Sequence, residues 1–450
     1  MLKNYLKVTL NNLSKNKVNS FINITGLAIG IASCILILLY VVRELSYDNY
    51  HQELDQLHRV AILDTPDNLG QGIASISYPA AEVLTEEFPE VEQVARLGQL
   101  FDQDPAIEID DRLFAEDRFY FADNSVFELL TIPFLKGDSE TALSAPNSIV
   151  LSEETARKYF GNIDVVGKTL LVNFNNMSTD YQITGVVRNA PENTHFKYDV
   201  FASLDNIFNG LPAGFADAMK SWYMYRFWTY VKLTPGTDAQ AFEAKLKHIE
   251  QKYFPPTRSN VHLFLQPVKD IHLHSNLNNE VEPNNDIRYI YIFSGIAILV
   301  LVIACINFMN LTTARSINRA REVGMRKVLG AHRSQLMSQF TIESLLVTAL
   351  SVLVAFGLVE LLTNVLNDLT GLQLETNYLQ SAWLPIGFVF LTLIVGLLSG
   401  LYPAFFLSAF QPVKTLKGAF ARSSSGAGLR KALVIAQMAI TVILLVGIVT

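Results

Sequence analysis

The sequence predicts an α-helical membrane protein of about five transmembrane helices, with a large extracytoplasmic α+β domain inserted between helices 1 and 2. Three observations lead there. Half of the 450 residues are hydrophobic and only 17% are charged, against ~25% charged in a soluble globular protein. The apolar residues lie in long blocks rather than being spread along the chain. The charges between those blocks are sorted by sign. A net charge of −7 also argues against a nucleic-acid partner, which needs a basic face.

Five blocks can be read as spans. Residues 21–42 and 289–314 carry no charge, residues 335–366 are interrupted only by Glu343 and Glu360, and residues 382–410 and 432–450 complete the set. About 20 apolar residues at 1.5 Å rise cross a ~30 Å hydrocarbon core, where a helix satisfies its own backbone polar groups. The first block is too long for a cleaved signal sequence, whose apolar region runs ~7–15 residues. Its Ile31-Ala32-Ser33-Cys34 run is like a lipoprotein cleavage box, but eight further apolar residues follow Cys34. Cys305 also lies inside a block, so neither cysteine reads as a disulfide half or a CxxC pair.

Charge sets the orientation. Residues 1–20 hold Lys3, Lys7, Lys15 and Lys17 without an acid. The loop at 312–335 holds Arg315, Arg319, Arg321, Arg326, Lys327 and Arg333 against Glu322. The loop at 409–431 holds Lys414, Lys417, Arg422, Arg430 and Lys431. Residues 43–288 instead carry 20 basic and 37 acidic residues, and 367–381 has only Asp368 and Glu375. Lys and Arg favour the cytoplasmic side of short loops. The expected order is a cytoplasmic amphipathic helix at 1–20, helix 1, an extracytoplasmic domain at 43–288, helix 2, a cytoplasmic coupling loop at 315–334, helix 3, an outer loop at 367–381, helix 4, a cytoplasmic linker at 411–431, and helix 5. The N-terminal stretch puts Leu2, Leu6, Leu10 and Leu13 on one stripe, as an interfacial helix would.

Within 43–288 the pattern mixes helix and strand. Ser152 with Glu153 and Glu154 is a cap with an acidic first turn, and Gly161 suits the position after the helix end. Residues 78–88 and 238–251 read as amphipathic helices. Residues 148–151, 169–174, 181–187 and 229–233 are β-branched or aromatic runs flanked by turn residues, hence strands. Trp222, Tyr223, Tyr225, Phe227 and Trp228 cluster before the last of these and read as core rather than as an apolar binding patch. His272-x-His274 with His262 could mimic a metal site, since two histidines at i, i+2 share one strand face, yet no acid or cysteine partner is fixed by spacing, so no metal site is assigned.

The stretches Asn147-Ser148-Ile149-Val150-Leu151-Ser152-Glu153-Glu154, Tyr159-Phe160-Gly161, Val166-Gly167-Lys168, Tyr181-Gln182-Ile183-Thr184-Gly185-Val186-Val187 and Pro191-Glu192-Asn193-Thr194-His195-Phe196 resemble the periplasmic core domain of MacB-like permeases. Arg321-Glu322-Val323-Gly324-Met325-Arg326-Lys327-Val328-Leu329-Gly330-Ala331 is similar to the FtsX-like permease motif, and Ser399-Gly400-Leu401-Tyr402-Pro403-Ala404 to that family's last-helix pattern. The resemblance implies an ABC transporter permease of the bacterial inner membrane, of the mechanotransmission type. In this class the helices relay the motion of a separate cytoplasmic ATPase to the periplasmic domain. It also implies a second permease copy or second half as a partner. Long Bacteroidota-type members repeat the unit, and residues 429–450 look like the start of a second one.

No GxxxxGK[ST] phosphate loop occurs in the sequence. ATP is therefore expected on the partner ATPase, with no cofactor bound by this chain and no catalytic residue in it. The resemblance implies that Arg319, Arg321, Glu322, Gly324, Met325, Arg326, Lys327 and Gly330 contact that ATPase. Read from charge alone, the same loop would face anionic lipid headgroups. Gly26 with Gly30, and Gly396 with Gly400, have the spacing that lets membrane helices approach closely. Glu343 and Glu360 read as groups in helix contacts or snorkelling rather than as an ion relay. The expected activity is efflux or mechanotransmission, in which a periplasmic adaptor or outer-membrane channel could share. The alternative is a regulator of a periplasmic cell-wall hydrolase that uses the same lever.

Overall fold

A computed structural model of the chain describes residues 11, 14–15, 17–64, 72–99, 105–109, 112–174, 177–209, 211–254, 261–314, 323–372, 374, 383–408 and 427–449. Most of the expected N-terminal helix, the residues Arg315, Arg319, Arg321 and Glu322, the 375–381 part of the expected outer loop at 367–381 and most of the 411–431 linker lie outside the described residues. The chain divides into two units: Met1–Arg43 with Arg288–Thr450, and Glu44–Ile287.

In the first unit, α1 is Lys17–Leu45, α8 is Ile287–Ala314, α9 is Arg333–Thr370, α10 is Trp383–Ser408 and α11 is Ala427–Val449. Among the described residues, the first four are long and apolar enough to cross a membrane, and α11 carries a shorter apolar stretch, Lys431–Gly447. Helix α9 has 38 residues, so at 1.5 Å per residue it is about 57 Å long and outruns a ~30 Å hydrocarbon core. It extends past the predicted 335–366 at both ends for local reasons. His332 caps it in a reciprocal pair with Gln335, and Gly371, at φ +68°, supplies the left-handed residue that ends it.

These helices pack through small residues. Leu27, Ala28, Ile31 and Ala32 of α1 share a core with Ala304, Cys305 and Phe308 of α8, Val347, Val352, Ala355 and Val359 of α9, and Val395 of α10. Polar side chains in this interior mostly bond back into their own helix. Ser344 Oγ donates to the Phe340 carbonyl at 3.1 Å, Ser351 Oγ to Val347 at 2.9 Å, Thr363 Oγ1 to Val359 at 2.7 Å and Ser399 Oγ to Val395 at 2.6 Å. Such bonds remove the cost of a hydroxyl without water.

The second unit is built on a mixed sheet. Its strands are β1 Leu57–Asp64, β2 Ile76–Ser77, β3 Val91–Gly98, β4 Ala106–Ile109, β5 Arg112–Ala115, β6 Phe119–Ala122, β7 Phe134–Gly137, β8 Ser148–Ser152, β9 Thr169–Phe174, β10 Met177–Val187, β11 Val200–Ser203, β12 Tyr225–Leu233 and β13 Val261–Pro267. The order is β13-β1-β12-β3-β6-β11-β8-β10-β9-β4-β5, with β2 on β12 and β7 on β10. β6 runs parallel to β11 and β8 parallel to β10. β6, β8 and β11 are buried throughout, which is why they read as continuous apolar runs and not as alternating ones.

Helices cover both faces. On one, α2 (Ala80–Glu87) and α6 (Ala239–Tyr253) bury Ala80, Val83, Leu84, Phe242, Leu246 and Ile249 against β1, β12 and β13. α4 (Glu153–Phe160) buries Ala156 and Tyr159 against β8 and β10. On the other, α3 (Val126–Leu129) and α7 (Val268–His274) close a core holding Tyr120, Phe196, Phe201 and Trp228. A short helix, α5 (Ala213–Met219), precedes β12. The capping chemistry of α4 is the one its sequence predicts: Ser152 Oγ accepts from the Thr155 N–H at 3.1 Å, and Gly161 sits at φ +73°. Phe227 and Trp228 are core, and Trp222 stacks on Tyr253 at 4.6 Å, while Tyr223 is exposed.

Candidate functional site

Two places in the molecule gather groups beyond what folding alone requires. The first is the turn before α9. Residues 323–328 are helical, Gly330 at φ +96° breaks the helix, and α9 begins at Arg333. The turn is fastened to both helices of the α9–α10 hairpin. Arg326 Nη1 donates to Gln339 Oε1 at 2.6 Å, and Lys327 Nζ donates to the Ser408 carbonyl at 2.7 Å. Arg333 Nε reaches Ser408 Oγ at 3.4 Å. Ser408 is the last residue of α10, where a free carbonyl and the helix dipole both favour a cation. Partial burial and the nearby Arg333 push the Lys327 ammonium below its ordinary pKa.

Around these anchors the apolar side chains divide. Val323 is buried, while Met325, Val328 and Leu329 are 59%, 65% and 81% exposed. A ledge of three large apolar side chains flanked by basic residues is costly to leave in water and is suited to a partner. Sequence reasoning marked this turn by its motif, but it singled out only Met325 of the three.

The paired glycines lie at helix crossings. A Cβ on Gly30 would overlap Ala304 of α8, and one on Gly26 would stand 3.5 Å from Asn307 Nδ2. A Cβ on Gly396 would fall 2.7 Å from Leu345 Cδ2, and one on Gly400 would overlap the Ser344 side chain. The facing residues Ala304, Ser344 and Thr348 were not foreseen. Their signal was present as small residues three or four apart in apolar helices, but nothing in the sequence says which face meets which. Of the two glutamates in α9, Glu343 is partly buried and Glu360 is exposed.

The second place lies within the Glu44–Ile287 unit and draws on residues that follow α1 directly in the chain. Glu44, in the last turn of α1, accepts from His272 Nε2 and from Asn285 Nδ2, both at 2.8 Å. The His272 ring stacks on Tyr47 at 3.3 Å. Beside it, Asp48 is buried. Its Oδ1 accepts from Thr194 Oγ1 at 3.0 Å, from the His195 N–H at 3.0 Å and lies 2.9 Å from His195 Nδ1. His195 Nε2 meets the Tyr230 hydroxyl at 2.8 Å. His51, also buried, places Nε2 3.6 Å from Asp48 Oδ1. Burial alone would raise the Asp48 carboxyl, but His195 holds it well below the usual carboxylate range. Burial pushes the His51 imidazolium down.

His272 and His274 do not share a strand face, and His262 lies apart from them on β13. His272 and His274 lie on α7, where a two-residue step turns about 200°, so one points inward and the other to solvent. His274 pairs with Asp270 at 3.7 Å and His262 with Glu250 at 3.5 Å, so each of the three meets a different acid. The Asp48, His51 and His195 group went unread because its halves are 147 residues apart.

The sequence signature for the MacB-like periplasmic core domain matches residues 20–249, and that for the FtsX-like permease C-terminal region matches residues 294–412. The chain belongs to the FtsX/MacB-like ABC permeases. These permeases pair a bundle of membrane helices with an extracytoplasmic domain, and both parts are present here. The chain is 34% identical over 125 residues to the macrolide export ATP-binding/permease protein MacB of Psychrobacter cryohalolentis, a stretch that is 28% of this chain and 18% of that one. It is 30% identical over 142 residues to the ABC transporter permease YvrN of Bacillus subtilis, 31% of this chain and 32% of that one. The matches thus span between about a fifth and a third of those relatives. The periplasmic region of MacB from Actinobacillus actinomycetemcomitans is 14% identical with a TM-score of 0.35, covering 48% of this chain and 90% of that one.

Proposed function

We propose that this permease works as a mechanical relay: a separate ATPase docks on the 315–334 loop from the cytoplasm, and its ATP-driven motion passes along the helices to the extracytoplasmic domain, which moves or releases a substrate there. The observation that carries this reading is the fastening of the 323–332 turn to both α9 and α10 beside the exposed Met325, Val328 and Leu329. A partner seated on that ledge pushes on two helices at once, because Arg326 reaches Gln339 of α9 while Lys327 reaches Ser408 of α10. Charge-assisted hydrogen bonds of this kind are worth roughly 1.5–3 kcal/mol each, enough to keep the turn and the hairpin moving as one piece.

The chemistry stays with the ATPase. This chain contributes attachment, stiffness and a shaped domain outside. Arg319, Arg321, Glu322 and Gly324 extend the same contact, and anionic headgroups share the basic flank.

Co-purification from the native membrane tests the docking site. Wild-type chain should bring down an ATPase and stimulate its turnover. Leu329→Asp, which puts a charge in the middle of the ledge without touching the anchoring bonds, should lose both while the protein stays folded. Unchanged pulldown and turnover with Leu329→Asp would contradict docking at this turn.

A further inference from the structure

We propose that Asp48, His51 and His195 form a binding site for a divalent transition cation of the zinc class within the extracytoplasmic unit. All three side chains are buried, and each offers a ligand atom within 4.8 Å of the other two. In a tetrahedral zinc site with bonds of ~2.0–2.2 Å, neighbouring ligand atoms stand roughly 3.3 Å apart. The separations here bracket that value: His195 Nδ1 lies 2.9 Å and His51 Nε2 3.6 Å from Asp48 Oδ1.

The decisive feature is what the hydrogen bonds leave over. His51 is only 5% exposed, yet neither of its ring nitrogens makes a hydrogen bond among the described residues, and neither does Asp48 Oδ2. Buried polar atoms are nearly always paired. A purely hydrogen-bonded clasp explains His195, Thr194 and Asp48 Oδ1, but leaves His51 only a 3.6 Å approach to Asp48 Oδ1, beyond hydrogen-bond distance. A cation at the focus of the three residues takes up a His51 nitrogen and is held by the Asp48 carboxylate, through Oδ1 alone or through both oxygens.

The surroundings suit a ligand set. A metal-bound histidine commonly donates its other ring N–H to a fixed acceptor. For His195 that acceptor is the Tyr230 hydroxyl, 2.8 Å from Nε2. Two imidazoles and one carboxylate select zinc and its first-row neighbours over calcium or magnesium, which prefer all-oxygen shells. The cation would join the 46–51 segment, which follows α1, to the 193–196 segment at a point where they already bond through Asp48 N–H to the Asn193 carbonyl at 2.9 Å.

The test uses the full chain in detergent, stripped with chelator, incubated with zinc and desalted, with bound metal counted by mass spectrometry. Wild type should keep one zinc per chain and gain thermal stability from it. Cobalt should give the intense visible absorption of a tetrahedral site. His51→Gln should lower zinc affinity at least tenfold, and Tyr230→Phe, which removes only the supporting hydroxyl, by about 10–100-fold. His274→Gln, at an exposed histidine on α7 outside the site, should change neither stoichiometry nor affinity. Wild type that retains no zinc, or retains it as tightly after His51→Gln as before, would overturn the site. Because the wild-type count stands alone, a variant that fails to fold does not blunt the test.

Discussion

Lys327 Nζ donates to the backbone carbonyl of Ser408, 2.7 Å away and 81 residues along the chain. The bond closes the 323–332 turn onto the end of α10, and Arg326 closes it onto α9 through Gln339. Replacing Lys327 with Met keeps the apolar stem and removes the donor. The variant should reach the membrane at wild-type levels and bind its ATPase, while stimulation of ATP turnover falls several-fold. Turnover in native-membrane preparations, normalised to bound ATPase, reads this out.

Gly400 and Gly30 are close-approach positions. Gly400→Val forces a side chain into Ser344, and Gly30→Val forces one into Ala304. Overpacking of this kind costs ~1–3 kcal/mol or more. Both variants should show a lower melting temperature in detergent by static light scattering. Gly295→Ala and Gly357→Ala, where a Cβ would meet no atom within 4 Å, should be neutral.

Arg59 is fully buried, and its guanidinium is held by Glu280 at 2.5 and 2.9 Å, with Gln266 at 2.6 Å. Removing one partner of a buried pair leaves the other charge uncompensated, at a cost of ~3–5 kcal/mol. Arg59→Met should therefore destabilise the extracytoplasmic unit strongly in chemical denaturation. Arg59→Met with Glu280→Gln should recover much of the loss.

Asp199 gives a pH-dependent outcome of defined sign. Burial, and then the nearby Glu116, raise its carboxyl pKa in the folded protein. The folded state thus holds this proton more tightly than the unfolded state, and stability falls as pH rises through the ordinary carboxyl value of ~3.9 and on through the raised one. Asp199→Asn should raise the melting temperature at neutral pH, and the gain should disappear in acid below the ordinary value. Melting curves of both proteins across that window check it.

What the sequence disclosed was whatever is locally determined. The apolar blocks of α1, α8 and α9 declare themselves because a helix in lipid needs only length and hydrophobicity. α4 was legible down to its caps because Ser152 and Gly161 act within one turn. The 323–332 turn was legible as a motif, but its attachment was not: Ser408 is an unremarkable serine until folding brings it to Lys327. The same holds for Ser344 beneath Gly400, since helix rotation is set by packing. His272 and His274 were read as sharing a strand face because the short run Ile271-His272-Leu273-His274 alternates apolar and polar residues, and the Asp48, His51 and His195 group depends on a pairing that only folding creates.

The relay stands or falls on whether events at the 323–332 turn reach the extracytoplasmic unit. Spin labels on cysteines at Leu113 and His274, both exposed in that unit, with Cys34 and Cys305 replaced by Ala, report its internal distance by pulsed electron resonance in the complex with the co-purified ATPase. ATP should shift the distance distribution in wild type, and Lys327→Met should abolish the shift while ATP is still hydrolysed. A wild-type distribution identical with and without ATP would contradict the relay.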